Sequence, residues 1–196
     1  MTRVYFVRHA QPVHSWKDDS TRPLTKEGAE DTKKVLAFLK EKSIDRFYCS
    51  TYKRSIDTIK LAAEFYGMEI ITDARLRERQ KGEGRNDYGI IQKRWENLNY
   101  HEIGGESIQM VQDRNIAALK EIIQDNPDKN LVIGTHGTAL SSILRYYDPS
   151  YNCDSFFRMI DWMPFIVELD FEGEKLVSKM EHLYVYKEFK GNRADR

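Results

Sequence analysis

The sequence predicts an α/β domain built around a mostly parallel sheet, because strand-like apolar runs alternate with helix-like segments along most of the chain. Residues 3–9 and 129–135 are nearly continuous in apolar character, as strands buried on both faces of a sheet are, and 44–49 is a shorter run. From 167 to 172 apolar and acidic residues alternate before Gly173, which is typical of an antiparallel hairpin. We therefore expect a three-layer α/β/α sandwich with a mostly parallel central sheet and an antiparallel edge strand.

Two helices are predicted in the first third of the chain. The first is capped by Thr25 and ends near Ser43, and the second is capped by Ser50 or Thr51. The apolar face of the first consists of Ala29, Thr32, Val35, Leu36 and Leu39. That of the second consists of Ile56, Ile59, Ala62 and Ala63. A third strand is expected at 69–72.

The segment 74–105 differs from its surroundings because it is rich in Arg, Lys, Gly and Asn. We expect it to be an insertion over the sheet edge, with one helix at about 90–98. Ser107 then caps a helix that stops at Asn126-Pro127, and 138–147 forms another helix after the strand at 129–135.

One domain, residues 1–196, accounts for the composition, because a chain of this length buries about two thirds of its extended surface. The formal net charge is zero, with 31 basic and 31 acidic residues, which gives no electrostatic case for nucleic acid or a membrane surface as a partner. Nothing in the sequence specifies an oligomeric state.

The cysteines and the first residues bear on the cellular compartment. Cys49 and Cys153 have no metal-ligand or redox spacing, so we expect two buried thiols in a reducing environment. The apolar run after Met1 is shorter than the core of a signal peptide, and no stretch is long enough to span a bilayer. A cytoplasmic location is expected.

Two histidines lie at the predicted ends of strands that are far apart in sequence. Arg8-His9 closes the first strand, and His136 precedes Gly137 where a later strand turns into a helix. Ligands of open α/β sheets bind beyond the carboxyl ends of the strands, so the two imidazoles are expected to face one pocket. The helix amino end and a small glycine favour the close approach of an anion.

A third strand-to-helix junction adds a second arginine. Residues 50–55 place Arg54 in the first turn of a helix, although on local grounds a surface arginine beside a cap explains it equally well. Together the junctions bring two arginines, two histidines and two helix amino ends to one edge of the sheet. A phosphoryl group suits this set best.

These residues carry a family resemblance, since short motifs occur in one order from residue 3 to about 145. The motifs are Arg8-His9, Pro23-Leu24-Thr25 with Gly28, Ser50 to Thr58, Leu76-Arg77-Glu78-Arg79, Gly105-Glu106-Ser107 and Thr135-His136-Gly137. The ordered set resembles the histidine phosphatase superfamily, which includes phosphoglycerate mutases and many small-metabolite phosphatases.

The resemblance implies that His9 is the nucleophile, which forms a phosphohistidine, and that Arg8, Arg54 and His136 bind the phosphoryl oxygens. Phosphoryl transfer depends mainly on positioning and on stabilising charge, and two arginines provide this without metal or organic cofactor. His9 must attack as neutral imidazole, with one ring nitrogen fixed by a hydrogen bond. His136 is expected to act as a charged or hydrogen-bonding clamp.

The resemblance also implies that Glu78 donates a proton to the leaving alkoxide. We expect the segment 74–105 to be an insertion over the active site. The alternative is that Glu78 pairs with the arginines beside it in the sequence. Glu106 is the competing acid, although its position before Ser107 suggests that it stabilises the amino end of a helix instead.

The chain departs from the family pattern around the phosphate site. Ala10 and Pro12 replace the usual glycine and threonine, and Ser15 falls near the usual asparagine. Residues 82–86 replace the common Gly-x-Trp-Glu-Gly. We take Gln11, Ser15 and Gly137 as further substrate-binding candidates.

Other polar residues receive weaker predictions. His14 is placed at the pocket mouth, and His101 and His182 at the surface or its boundary. A local basic run, either a second anion contact or a solvated face, consists of Arg77, Arg79, Lys81 and Arg85.

The sequence thus predicts a metal-independent phosphomonoesterase that acts on a small phosphorylated metabolite. The first alternative is a phosphoglycerate mutase-type isomerase, in which the phosphohistidine returns its group to bound phosphoglycerate. Such mutases carry extra segments that enclose a bisphosphate, and the shorter chain favours hydrolysis. The second alternative is a non-catalytic phospho-ligand binder.

Overall fold

A computed structural model, which describes residues 1–188, shows one six-stranded mixed sheet in the order β3-β2-β4-β1-β5-β6. The strands are β1 (Thr2–Arg8), β2 (Arg46–Cys49), β3 (Ile70–Thr72), β4 (Asn130–Thr135), β5 (Trp162–Glu172) and β6 (Lys175–Tyr186). The first four are mutually parallel, whereas β5 runs antiparallel to β1 and β6 antiparallel to β5. The predicted parallel sheet with an antiparallel edge hairpin is confirmed.

In the described part of the chain, six helices accompany the sheet. They are α1 (Lys26–Leu39), α2 (Lys53–Tyr66), α3 (Tyr88–Glu96), α4 (Ile108–Asp125), α5 (Gly137–Tyr147) and α6 (Cys153–Met159). A single 3₁₀ turn, Ala74–Leu76, follows β3. Within residues 1–188, none of these helices has the length and apolar character needed to cross a membrane.

The core lies on both faces of the sheet, and β1 shows why. Successive side chains of a strand point to opposite faces, so Val4 and Phe6 pack with residues of α4 and α5, while Tyr5 and Val7 pack with residues of α1 and α2. The nearly continuous apolar run at 3–9 is therefore what a central strand between two helical layers requires. The three-layer prediction is confirmed.

The helix caps were predicted with mixed success. Thr25 and Ser107 cap α1 and α4, since their hydroxyls accept the N–H groups of Gly28 and Met110 at 2.9 and 3.1 Å. The prediction that Ser50 or Thr51 caps α2 is wrong. The residue before α2 is Tyr52, which makes no side-chain cap.

The two cysteines differ in burial, and Gly28 lies at a close main-chain contact. Cys49 is buried as expected, but Cys153 is only half-buried, because it begins α6. A Cβ on Gly28 would overlap the main chain of Gln11. The glycine is needed because α1 begins directly against the segment that follows His9, where Thr25 N–H donates to the Gln11 carbonyl at 2.9 Å.

The strand register determines where the polar strand ends meet. Arg8 at the end of β1 pairs with Thr135 at the end of β4, so His9 and His136 leave the sheet side by side. On the other side of β4, Ser50 N–H donates to the carbonyl of Gly134 at 3.2 Å. Three polar strand ends thus meet at one edge of the sheet.

The central strand should carry much of the stability. Phe6 is fully buried, and we expect Phe6→Ala to lower the free energy of unfolding by about 3–5 kcal/mol, because the substitution removes buried surface and leaves a cavity. Phe65 on α2 is 58% exposed and serves as the matched control, with an expected change for Phe65→Ala within about 0.5 kcal/mol. Urea unfolding followed by circular dichroism measures both. Equal losses in the two variants would contradict the assigned core.

Candidate active site

The two strand-end histidines are in contact at the carboxyl edge of the sheet. The ring centroids of His9 and His136 lie 5.3 Å apart with an interplanar angle of 58°. Both side chains are buried. Neighbouring parallel strands thus bring the two imidazoles together, but of the two only His9 lines the cavity described below, so the expectation that both face one pocket is met in part.

The hydrogen bonding of His9 identifies its tautomer. Nδ1 lies 2.8 Å from the carbonyl oxygen of Ala10, and a carbonyl can only accept, so Nδ1 carries the proton and Nε2 the lone pair. Thr58 in turn holds this turn of chain, since its hydroxyl accepts the Ala10 N–H at 2.9 Å. Burial, reinforced by Arg54 and Arg8, holds the pKa of His9 well below its usual value. His9 is therefore neutral with its nucleophilic nitrogen defined.

His136 is bound by a serine that the sequence had assigned to a helix cap. Its Nε2 lies 2.6 Å from Ser50 Oγ, which also accepts the Tyr52 N–H at 3.2 Å. We assign the serine hydroxyl as the donor to Nε2, which leaves the ring proton on Nδ1. Burial is the main cause that holds the pKa of His136 well below its usual value, and Arg54 and His9 add to the effect. His136 is thus neutral in this structure, which favours the hydrogen-bonding form of the clamp over the charged one.

Arg8 is buried against the end of α6. Its Nη1 lies 2.5, 3.0 and 3.1 Å from the carbonyl oxygens of Met159, Ile160 and Trp162. Burial lowers its pKa to about 10, so the guanidinium stays charged at neutral pH. Two guanidinium nitrogens lie 3.4 Å from where a Cβ of Gly137 would sit. These are ordinary van der Waals distances, so the Arg8 guanidinium packs against the start of α5 at Gly137.

Arg54 is held by Asp19, a partner that no sequence pattern indicates. Its Nη1 donates to the main-chain carbonyl of Asp19 at 2.5 Å and lies 3.1 Å from the Asp19 carboxylate. Burial lowers the pKa of Arg54, and the attraction of Asp19 opposes this effect. Arg54 is thus a buried residue of the site, which excludes its reading as a surface arginine.

The cluster contains buried nitrogens without a protein partner. Within residues 1–188, Arg8 Nε, Arg54 Nε and His136 Nδ1 have no hydrogen-bond partner. Leaving such groups unpaired in a dry site costs about 1–3 kcal/mol each. An oxyanion, which offers several acceptors at once, is the ligand whose chemistry fits them best.

The Glu78 side chain lies at the amino end of α5, the helix that begins directly after His136. Its oxygens accept the main-chain N–H groups of Thr138, Ala139 and Arg79 at 2.9, 3.1 and 2.8 Å. The bond from Arg79 therefore comes from its backbone. All three donors are main-chain N–H groups. The alternative, in which the Glu78 carboxyl pairs with the side chains of neighbouring arginines, therefore does not match these contacts.

Glu106, the competing acid, is held in its ionised form. Burial would raise its pKa, but hydrogen bonds from Arg114, Arg77 and Gln80 N–H outweigh burial and lower the pKa to about 2. A carboxyl with this pKa holds no proton to donate near neutral pH. The prediction that Glu106 stabilises a helix amino end is also wrong, because arginine side chains donate to both of its oxygens.

A cavity of about 490 Å³ opens onto these groups. Its lining includes Arg8, His9, Arg54, Glu78 and Gly137. Basic side chains of its outer wall are Lys17, Arg22, Arg79, Lys81 and Arg94, and apolar ones are Ile91, Trp95, Ile108, Phe156 and Met163. The segment 74–105 therefore forms one wall of the cavity.

Several sequence candidates lie elsewhere. Gln11 and Ser15 line a separate depression at the start of α1. The Gln11 side chain accepts the hydroxyl of Thr25, the residue that caps α1, at 3.0 Å, and this bond directs the side chain away from His9. In the basic run, Arg77 pairs with Glu106.

The remaining histidines differ in their surroundings. His14 lines the cavity as expected, and burial lowers its pKa to about 4. His101 is exposed, while His182 is half-buried and pairs with Glu168. Within the described part of the chain, no three His, Cys, Asp or Glu side chains are grouped so that they could hold a metal ion.

Comparison with known proteins agrees with the geometry. The sequence profile of the histidine phosphatase superfamily (branch 1) matches residues 4–177, and the chain belongs to this superfamily. It is 31% identical over 162 residues to the probable phosphoglycerate mutase GpmB of Escherichia coli O1:K1, with 74% of each chain covered. The family prediction is confirmed.

Solved structures show the same fold. Phosphoserine phosphatase from Entamoeba histolytica, in complex with 3-phosphoglyceric acid, superposes with a TM-score of 0.76 at 17% identity, covering 96% of this chain and 98% of that one. A mycobacterial glucosyl-3-phosphoglycerate phosphatase complexed with VO3 gives a TM-score of 0.75 at 18% identity, with coverages of 94% and 99%.

The lowered pKa values of His9 and His136 predict how stability depends on pH. The unfolded chain binds a proton on each histidine below about pH 6.5, and the folded chain does not, so stability falls as pH drops below that value. The slope for each histidine approaches about 1.4 kcal/mol per pH unit. We expect His136→Asn to have a shallower slope than wild type between about pH 7 and pH 5, measured by urea unfolding.

Glu106 does not obscure this measurement. Its pKa is lowered in the folded state, so its contribution is present above the unfolded value of about 4.5 and is lost only as pH falls towards 2. Identical slopes for wild type and His136→Asn would contradict the neutral assignment of His136.

Proposed function

We propose that the protein is a phosphomonoesterase that hydrolyses a small phosphorylated metabolite through a phosphohistidine on Nε2 of His9. The observation that carries the proposal is the environment of His9. Its Nδ1 proton is held by the Ala10 carbonyl, and burial, reinforced by Arg54 and Arg8, keeps the ring neutral. A neutral imidazole whose lone pair lies among fixed positive charges is suited to attack a phosphate dianion.

The proposed reaction has two steps. In the first, Nε2 of His9 forms a bond to phosphorus, the bond to the leaving oxygen breaks, and that oxygen takes a proton from Glu78. In the second, water attacks the phosphohistidine, gives its proton to the Glu78 carboxylate, and the N–P bond breaks to release phosphate. Arg8, Arg54 and His136 stabilise the charge on the phosphoryl oxygens in both steps.

Glu78 lies in the lining of the cavity beside the proposed phosphate site, where an acid must be to protonate the leaving oxygen. Its attraction opposes the effect of burial on the pKa of both Arg8 and Arg54, so its carboxyl lies near the charged groups of the site. It also occupies the amino end of α5 beside Gly137, where backbone N–H groups favour an anion. We propose that the segment 74–105, which carries Glu78, covers the substrate.

The substrate class follows from the cavity and from the relatives. A volume of about 490 Å³ suits a small metabolite. The structural neighbours are named for glucosyl-3-phosphoglycerate and phosphoserine, both phosphorylated small molecules. We also propose that the protein acts in the cytoplasm, since the buried Cys49 thiol suits a reducing environment.

A phosphoglycerate mutase activity is the second candidate, because the relative that is 31% identical carries that name. The two activities share the phosphohistidine and differ in its acceptor, which is water in one and bound phosphoglycerate in the other. Incubation with 3-phosphoglycerate distinguishes them. Release of inorganic phosphate faster than formation of 2-phosphoglycerate supports hydrolysis, and the reverse order supports the mutase.

The nucleophile assignment predicts the effect of removing the imidazole. His9→Asn should abolish hydrolysis of p-nitrophenyl phosphate by chelator-treated protein, because no other group of the site forms the phosphoenzyme. His101→Asn, at an exposed position, is the control and should retain wild-type activity. Full activity in His9→Asn would overturn the mechanism, and loss of wild-type activity with chelator would overturn its independence of metal.

The acid assignment predicts a dependence on the leaving group. Glu78→Gln should lower kcat/KM by about 10²-fold or more for alkyl phosphates, whose leaving oxygen needs a proton, and much less for p-nitrophenyl phosphate. Steady-state kinetics on both substrates measure the difference. Equal losses would argue against proton donation by Glu78.

A further inference from the structure

Arg114, a residue of α4 outside every motif of the sequence, uses its whole guanidinium group at the segment that carries Glu78. Nη1 lies 2.6 and 2.7 Å from the carbonyl oxygens of Arg75 and Arg77, and Nη2 lies 3.0 Å from that of Glu78. Nε and Nη2 donate to the Glu106 carboxylate, both at 2.9 Å. All five N–H donors of an arginine are thus engaged.

Glu106 completes the attachment from the other side. Besides Arg114, it accepts the Gln80 N–H at 2.8 Å and both terminal nitrogens of Arg77 at 2.7 and 3.0 Å. The low pKa of Glu106 reflects these bonds and keeps the charge pair intact at neutral pH. Arg114 and Glu106 together therefore hold the chain on both sides of Glu78.

This attachment matters because the segment has no regular structure of its own. After the 3₁₀ turn Ala74–Leu76, the next helix begins only at Tyr88. The main-chain position of Glu78 is thus determined by tertiary bonds, of which those to Arg114 are partly buried and charge-assisted. A misplacement of a reacting group by about 1 Å can cost about 10²-fold in rate.

We propose that Arg114 is a positioning residue for the acid Glu78. Arg114 is not itself a lining residue of the cavity, and it acts on the reaction through the carbonyls of the chain that bears the carboxyl. The inference rests on the proposed acid role of Glu78. Lysine cannot replace Arg114, because its single nitrogen has three donors and no planar fork.

The test is the dependence of kcat/KM on the leaving group, measured with a series of substituted phenyl phosphates. We expect Arg114→Lys to steepen this dependence, as Glu78→Gln does, with a loss of about tenfold or more for the poorest leaving group and little for p-nitrophenyl phosphate. In Glu78→Gln/Arg114→Lys, the second substitution should add no further steepening. Arg75→Lys is the matched control on the same segment. The Arg75 side chain pairs with Asp73 and with Glu121 of α4, so its substitution should leave the dependence at its wild-type slope.

The outcomes separate the two proposals. If Glu78→Gln steepens the dependence and Arg114→Lys lowers all substrates equally, or adds its full effect in the double variant, Arg114 is only structural and the inference fails alone. If Glu78→Gln itself leaves the slope unchanged, the acid role fails and the inference with it. Should Arg114→Lys not fold, as circular dichroism would show, Glu106→Gln weakens the same attachment and must show the same steepening.

Discussion

The site depends on one constraint, the register between β1 and β4. Because Arg8 is paired with Thr135, the next residues, His9 and His136, leave the sheet together, and the arginine and the start of α5 meet beside them. β2 adds Ser50 from the other side of β4. A shift of one residue in this register would turn the side chains of one strand to the opposite face, and both the pocket and the two cores would be lost.

The same burial that forms the site sets its charges. Burial and two arginines both disfavour protonation of His9 and His136, so the histidines are neutral, whereas Arg8 keeps its charge because its pKa falls only to about 10. The carbonyls at the end of α6 and the loop residue Asp19 fix the arginines in place. The positive charges are thus oriented before an anion arrives, which is how preorganised sites stabilise a transition state.

The sequence predicted those parts of the molecule that depend on local patterns. Apolar periodicity located the strands and the helices α1 to α5 but not the short α6, and the strand ends located His9 and His136 because parallel strands share one carboxyl edge. The partners of these residues are nonlocal and could not be predicted: Asp19 lies 35 residues before Arg54, and Arg114 lies 36 residues after Glu78. Gln11 was misplaced because a position in a motif does not determine the direction of its side chain, which Thr25 binds instead.

The central claim is that Nε2 of His9 carries the phosphoryl group during turnover. Its most direct test is rapid quenching of the protein in alkali during hydrolysis of a ³²P-labelled substrate, followed by identification of the labelled peptide. We expect acid-labile, alkali-stable label on the peptide that contains His9. Burst kinetics with label on another residue, or turnover with no labelled protein at any quench time, would contradict it.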